Sequence, residues 1–188
     1  MSHQTTLFHP LLRIVHWLMA LAVLTMLFIG VAMVADISAA HSLLLAIHKP
    51  LGVAIALLVV VRIGLRRYYG VPAMPASVPG WQQTVAHLTH LALYLLMLAQ
   101  PLVGWAMLSA GGFPVTIGEG LVLPPLLPVS VESYAVLRPL HSLLAFSLFA
   151  LILAHLAAAL LHGLILRDGV LSSMTGLRRV REQKYCLH

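Results

Sequence analysis

Long uncharged runs alternate with short polar segments along this chain of 188 residues. Three runs that contain no Asp, Glu, Lys or Arg cover residues 14–35, 50–61 and 139–166, and a fourth, 81–137, is interrupted only by Glu119 and Glu132. A membrane-spanning helix needs about 20 apolar residues, because the hydrocarbon core is about 30 Å thick and each residue adds about 1.5 Å. The run 50–61 is too short alone, so its helix is predicted to begin earlier, near Leu43.

The run 81–137 is too long for one helix. Its second half is rich in glycine and proline, which predicts a helix over 84–108 and then an apolar loop over 109–138. The run 14–35 is longer than the apolar core of a secretory signal, so we predict that it is a span and not a cleaved leader. Four spans are therefore predicted, over residues 11–34, 43–65, 84–108 and 140–166.

Composition agrees with a membrane protein. Hydrophobic residues make up 61% of the chain and charged residues 9%, and the mean hydropathy is +0.98, which is more apolar than a soluble domain. The predicted fold class is all-α, an integral membrane four-helix bundle. We expect residues 1–170 to form one four-span domain and residues 171–188 a short basic tail.

Basic residues indicate the orientation of the bundle. Lys49 and Arg138 fall on one side of the predicted membrane and nine basic residues on the other, so the positive-inside rule predicts that both termini are cytoplasmic. The net charge of +6 is then mainly a topology signal, and the basic cluster of the tail is expected to contact anionic lipid. No soluble basic surface remains for nucleic acid. The nine residues are Arg13, Arg62, Arg66, Arg67, Arg167, Arg178, Arg179, Arg181 and Lys184.

Four histidines are the candidate functional residues. His141 and His155 are fourteen residues apart, almost four helical turns, so their imidazoles share one helix face about 21 Å apart along the axis. Ionisable groups inside a span are costly and point to function. Depth in the membrane pairs His48 with His141 and His16 with His155. Two histidines on opposite sides of an iron give a bis-histidine haem, so the pattern predicts two b-type haems.

The four histidines have two other interpretations, as hydrogen-bonding residues or as ligands of another metal. A single membrane histidine is commonly a hydrogen-bonding residue between helices, but four at matching depths favour ligation. Zinc, nickel or copper sites gather their ligands within a few ångström and not in two layers. Covalent haem attachment is not expected, because the one cysteine, Cys186, is not part of a Cys-x-x-Cys-His motif.

Three further histidines have open roles. His87 and His90 lie near the start of the third span, where they could replace His16 as ligand, bond a haem propionate or line a quinone pocket. His162 follows His155 by seven residues, on the same helix face, and is a reserve ligand.

Short motifs occur along the chain in a fixed order. They are Arg13-Ile-Val-His16-Trp17, His48-Lys49-Pro-Leu-Gly52, Arg62, His90-Leu-Ala-Leu-Tyr94, Pro101-Leu-Val-Gly104-Trp105, Leu123-Pro124-Pro125, Ala-Leu-Leu-His162 and Arg167-Asp168-Gly169-Val-Leu171. In this order they resemble the bacterial cytochrome b561 family. The resemblance implies a four-helix protein of the bacterial inner membrane, with two b-type haems bound by His16, His48, His141 and His155. Pro50 departs from the family pattern, as does the run Ser172-Ser173-Met174, which is less basic than usual.

The resemblance leaves two functions open. As an oxidoreductase, the chain would take electrons from a periplasmic one-electron donor, superoxide in some members, and pass them to membrane quinone. Lys49 and Arg138 are the candidates for steering an anionic donor by their positive field. Glu119 and Glu132 lie on the same predicted side and weaken that field. As a relay subunit, it would dock a periplasmic dehydrogenase or soluble cytochrome on the apolar loop 109–138. That loop could instead cap the outer haem, and the sequence does not place the quinone site.

Overall fold

The computed structural model describes residues 7–35, 40–117 and 120–176. Four long helices dominate it: α1 (Pro10–Ala35), α2 (Ala40–Tyr69), α3 (Gly80–Ala110) and α4 (Val131–Leu160). A π-helical segment, Leu161–Leu166, continues α4, and a short helix, α5 (Val170–Thr175), follows. All four long helices have the length and composition of membrane spans, which confirms the predicted all-α membrane bundle.

The bundle is apolar on its outside. Phe28 is 76% exposed and Val34 81% exposed, a pattern that water would penalise and that lipid hydrocarbon favours. The buried core is a small cluster of four residues from α1 and α2, with partly buried side chains of α3 and α4 packed against it. By helix position this cluster lies between the depth of His16 and the depth of His48. Its members are Met19, Val23, Ile55 and Val59.

The two ends of the bundle differ in charge. Arg62 in α2 donates through Nη1 to the carbonyl of Leu12 in α1, so the last turns of α2 lie beside the start of α1. We call this the basic end. The opposite end carries Lys49 and Arg138, and we call it the hairpin end. The basic end holds Arg13, Arg62, Arg66, Arg67 and Arg167, and its cytoplasmic location stays a prediction.

Helix α4 begins nine residues earlier than predicted, at Val131 and not at Leu140. Ser130 caps the helix, since its hydroxyl accepts from the Ser133 backbone N–H at 3.1 Å. Pro139 lies inside the helix, and so do Pro50 in α2 and Pro101 in α3. Neighbouring helices in a membrane bundle tolerate such prolines. Arg138 therefore lies on α4 and not in a loop.

The connection between α3 and α4 is partly folded, where a loop was predicted. Strands β1 (Val115–Ile117) and β2 (Leu121–Leu123) form an antiparallel hairpin in which Thr116 pairs with Val122. Two side-chain hydrogen bonds hold the hairpin against the helices: Lys49 Nζ donates to Pro114 O at 3.1 Å, and Trp105 Nε1 donates to Pro124 O at 3.0 Å. The hairpin thus covers the end of the bundle at which His48 and His141 lie.

The start of the predicted basic tail folds back onto the bundle. Arg13 donates through Nε to the carbonyl of Met174 at 3.2 Å and through Nη2 to that of Thr175 at 3.0 Å. His162 lies 2.5 Å from Asp168 through Nδ1 and Oδ2, which links the π-helical segment to the turn before α5. The predicted lipid-binding cluster of residues 178–184 and Cys186 lie outside the described residues.

Candidate functional site

At the hairpin end, α2 and α4 bring His48 and His141 together. Their ring centroids are 6.2 Å apart, and the Nδ1 atoms of both rings are buried without a hydrogen-bond partner. A buried imidazole nitrogen without a partner is costly. Unsatisfied nitrogens on both rings are therefore a reason to expect a ligand at this level of the bundle.

Helix α3 supports the His141 ring from the side. Gln100 donates through Nε2 to the carbonyl of His141 at 3.0 Å, and the same nitrogen lies 3.3 Å from His141 Nε2. One turn further along α3, a Cβ on Gly104 would lie 3.0 Å from His141 Cε1 and 3.3 Å from Nδ1. Because glycine has no Cβ, the ring can pack directly against the α3 backbone.

At the basic end, three imidazoles from three helices meet. The ring centroid of His155 in α4 lies 6.4 Å from that of His16 in α1 and 5.4 Å from that of His90 in α3. His141 and His155, which are fourteen positions apart, both lie on the continuous helix α4, which places the two layers about 21 Å apart along its axis. The structure thus brings together both pairs that helix depth predicted.

The separations within both pairs fit a single metal ion between two imidazoles. With metal–nitrogen bonds of about 2 Å, the ring centroids of two opposed imidazoles are about 6.3 Å apart. The His48–His141 and His16–His155 separations of 6.2 and 6.4 Å are close to that value. The His90–His155 separation of 5.4 Å is shorter, so His16 fits better as the partner of His155. The residues present therefore fit two bis-histidine haems.

Two of the remaining histidines, His87 and His162, have other partners. His87 is exposed, with Nδ1 2.7 Å from the carbonyl of Gln83, and His162 is engaged with Asp168, which argues against the reserve-ligand role. In the part of the chain that the structure describes, no three His, Cys, Asp or Glu side chains are arranged to hold a metal ion.

The two predicted steering cations differ in their surroundings. Arg138 is exposed on α4, three residues before His141. Lys49 follows His48 directly, and its ammonium group donates to the hairpin at Pro114. Lys49 therefore carries a charge near the His48–His141 pair and also holds the hairpin over that pair.

Arg62 is a residue whose position the sequence did not predict. It is only 8% exposed, and its Nε donates to Tyr94 Oη at 3.0 Å. Electrostatic interactions connect it with His16, His90 and His155. The sequence signal is an arginine near the end of an otherwise apolar span, which indicates topology and matches the family pattern but does not show that the side chain turns inward.

A cleft of about 590 Å³ opens between α2 and α3 at the basic end. Tyr94 and His90 form part of its wall, and His87 also lines it. Since the His90 ring contacts that of His155, the cleft adjoins the basic-end histidine layer. Its rim is cationic and its wall mostly aliphatic, through Arg66, Arg67, Leu91, Leu95 and Leu98.

Comparison with known proteins gives one consistent result. Residues 7–177 match the family model for prokaryotic cytochrome b561. Cytochrome b561 homolog 1 of Escherichia coli (strain K12) is 30% identical over 142 residues, which cover 76% of this chain and 80% of that protein. The probable superoxide oxidase CybB of Yersinia pestis is 32% identical over 133 residues, 71% of this chain and 75% of that protein. Cytochrome b561 homolog 2 of Escherichia coli (strain K12) is 29% identical over 163 residues, with coverages of 86% and 87%.

Proposed function

Because this chain belongs to the prokaryotic cytochrome b561 family, whose members bind b-type haem, we propose that it is a di-haem electron carrier of the bacterial membrane. It transfers electrons from a one-electron donor at the hairpin end to quinone at the basic end. The observation that carries this proposal is the presence of two histidine pairs, with ring separations of 6.2 and 6.4 Å, in two layers of one bundle.

The chain would hold one haem between His48 and His141 and the other between His16 and His155. When bound, each haem would supply one-electron transfer. Gln100 and Gly104 orient the His141 ring from α3. The hairpin excludes water from the His48–His141 layer through the bonds of Lys49 and Trp105 to its backbone.

Superoxide is the proposed donor, and the relative named probable superoxide oxidase supports this choice. Superoxide is a small anion, and cationic residues raise the local concentration of such a substrate. Arg138 is exposed and Lys49 lies beside His48. Glu132 is exposed at the same end and bonds to Ser130, which weakens the field. In the balanced reaction, two superoxide anions become two dioxygen molecules, while one quinone takes up two electrons and two protons.

The cleft at the basic end is the proposed quinone site. Arg62 Nε donates to Tyr94 Oη, so the phenol oxygen acts as an acceptor there and its own O–H is free to donate elsewhere. The cleft is lined by that phenol and by His90, which can donate to a quinone carbonyl, and its aliphatic wall fits a quinone ring and tail. Because the His90 ring contacts that of His155, the cleft lies next to the basic-end histidine layer.

A relay function is the second candidate, in which a periplasmic dehydrogenase or soluble cytochrome supplies the electrons. Exposed apolar residues at the hairpin end favour it, because such patches mark docking surfaces. Val129 is 74% exposed and Val131 79% exposed, and both follow the hairpin. Under this alternative the haems and the quinone site are the same, and only the donor differs.

The experiment that tests the proposed function uses the purified, detergent-solubilised protein. A pyridine haemochrome assay is expected to give about two b-type haems per chain. Superoxide, generated enzymatically in the presence of a soluble quinone, is then expected to reduce the haems and the quinone without a second protein. Absence of haem after expression with sufficient haem supply would contradict the di-haem proposal. Two haems that superoxide fails to reduce would favour the relay.

A further inference from the structure

Arg62 is a buried cation that pairs with no carboxylate in the part of the chain that the structure describes. Its side chain is 8% exposed and the adjacent Leu12 is 2% exposed. Within residues 7–35, 40–117 and 120–176, the ion pair is His162 with Asp168, and Arg62 bonds to two neutral groups, the Leu12 carbonyl at 2.8 Å and the Tyr94 hydroxyl at 3.0 Å. A charge removed from water is costly unless an opposite charge accompanies it. The position therefore calls for an anion.

The depth of Arg62 indicates where that anion lies. Its guanidinium bonds to Leu12, which precedes His16 by one helical turn, about 6 Å towards the basic end. The positive charge of the guanidinium acts on all three imidazoles of the basic-end layer, those of His16, His90 and His155. A lipid phosphate cannot reach this position, because the side chain is enclosed by α1, α2 and α3. Since no described carboxylate bonds to Arg62, a molecule held inside the bundle next to His16 and His155 is the source that this position favours.

We propose that Arg62 is the counter-charge for a propionate carboxylate of the haem at the basic-end layer, and that it raises the reduction potential of that haem above that of the other. The inference rests on the proposed function, which places a haem there. Arginine suits the role because its guanidinium stays charged and carries five N–H donors, enough to bind a carboxylate while it also bonds Leu12 and Tyr94. Tyr94 and Leu12 act as positioning groups for the guanidinium.

The physical consequence concerns one haem and not the other. Reduction adds one negative charge to a site, and a nearby cation stabilises the reduced form. A unit charge about 10 Å away, at an effective dielectric constant of about 20, changes a reduction equilibrium by about tenfold. The hairpin-end layer is about 21 Å further along the bundle, so Arg62 affects it much less. Electrons therefore collect at the end that adjoins the quinone cleft.

The test is an equilibrium redox titration of the purified holoprotein, which resolves the midpoints of the two haems. Arg62→Gln removes the charge and is expected to lower the reduction equilibrium constant of one haem by about tenfold, while the other stays unchanged. Arg62→Lys keeps the charge and is expected to restore most of the wild-type value. Arg167→Gln is the matched control, since it removes an exposed charge at the basic end that solvent and salt screen, and it is expected to leave both midpoints in place.

A second variant covers the case in which Arg62→Gln does not fold. Tyr94→Glu puts a carboxylate beside Arg62 and neutralises it in place, so the same haem is expected to become harder to reduce. Unchanged midpoints in both variants, or equal shifts of both haems, would overturn the inference. So would a higher midpoint of that haem in Glu182→Gln, a change in the basic tail, because loss of a carboxylate that pairs with Arg62 would favour the reduced haem and assign the counter-charge to the chain itself. A wild-type protein without two haems would instead refute the proposed function, and the two failures are thus distinguishable.

Discussion

Gly104 faces the imidazole of His141 so closely that a Cβ at position 104 would lie 3.0 Å from the ring carbon Cε1. The contact joins α3 to the hairpin-end histidine layer, and the ring keeps its place only while residue 104 has no side chain. Helix α3 thus contributes to that layer without supplying a ligand.

Gly104→Leu is expected to displace the His141 ring and to reduce the haem content from about two to about one per chain, because a larger residue cannot share this space. Gly30→Leu is the matched control, since nothing lies within 4 Å of a Cβ at that position, and it should keep both haems. The measurement is the pyridine haemochrome assay with the protein concentration determined separately. Two haems in Gly104→Leu would show that the ring has room to move.

Removal of single ligands is expected to separate the two layers. His48→Ala or His141→Ala should remove the hairpin-end haem only, and His16→Ala or His155→Ala the other, each leaving about half of the haem absorbance. Exposed His87 provides the control, because His87→Ala should retain both haems. Loss of both haems from one substitution in folded protein would refute independent layers.

His90 tests the choice between two partners of His155. If His16 is the ligand, as the 6.4 Å separation indicates, His90→Ala should retain two low-spin haems and His16→Ala should lose one. The opposite result would assign the ligand role to His90. Reduced-minus-oxidised spectra of both variants, recorded at equal protein concentration, decide the matter.

Charge removal at the hairpin end is expected to slow reduction of the haems by superoxide. Arg138→Ala and Lys49→Ala should each lower the rate several-fold at low ionic strength, and the difference from wild type should shrink as salt screens the charges. Arg167→Ala removes one charge at the basic end and should have no such effect. Stopped-flow absorbance gives the rates. Equal rates in all three variants would favour the relay function.

Tyr94→Phe is expected to slow quinone reduction by about tenfold, because a buried hydrogen bond to the quinone carbonyl is lost, while reduction of the haems by superoxide stays normal. Tyr134→Phe removes a phenol hydroxyl at the hairpin end and serves as the control. Steady-state kinetics with a soluble quinone separate kcat from KM. An unchanged rate in Tyr94→Phe would place the quinone elsewhere.

The sequence predicted the parts of the structure that periodicity and helix rise control. Depth along the spans paired His48 with His141 and His16 with His155, and the structure brings both pairs together. The sequence did not predict that α4 starts at Val131, because Arg138 and Pro139 look like the end of a loop. The helix continues through Arg138 and Pro139 because Ser130 caps its start and because α4 packs against α3. Composition alone shows neither feature.

Two other features depended on tertiary contacts. Strands of three residues give too short a pattern to distinguish the hairpin from an apolar loop. The sequence predicts the membrane side on which Arg62 lies, but not that its side chain turns inward, where the Leu12 carbonyl and Tyr94 hydroxyl accept its hydrogen bonds. Which way a long cationic side chain turns depends on its neighbours and not on its own position in the chain.

The apolar cluster of Met19, Val23, Ile55 and Val59 has a consequence for energy conversion. Between the two histidine layers, residues 17–30, 50–61, 95–103 and 142–154 of the four helices contain no titratable side chain, so no relay of such side chains crosses the middle of the bundle. Electrons that pass from the hairpin end to the basic end would travel without protons, and the protons for quinone would enter at the basic end. With that end in the cytoplasm, each turnover would displace net charge across the membrane and add to its electrical potential.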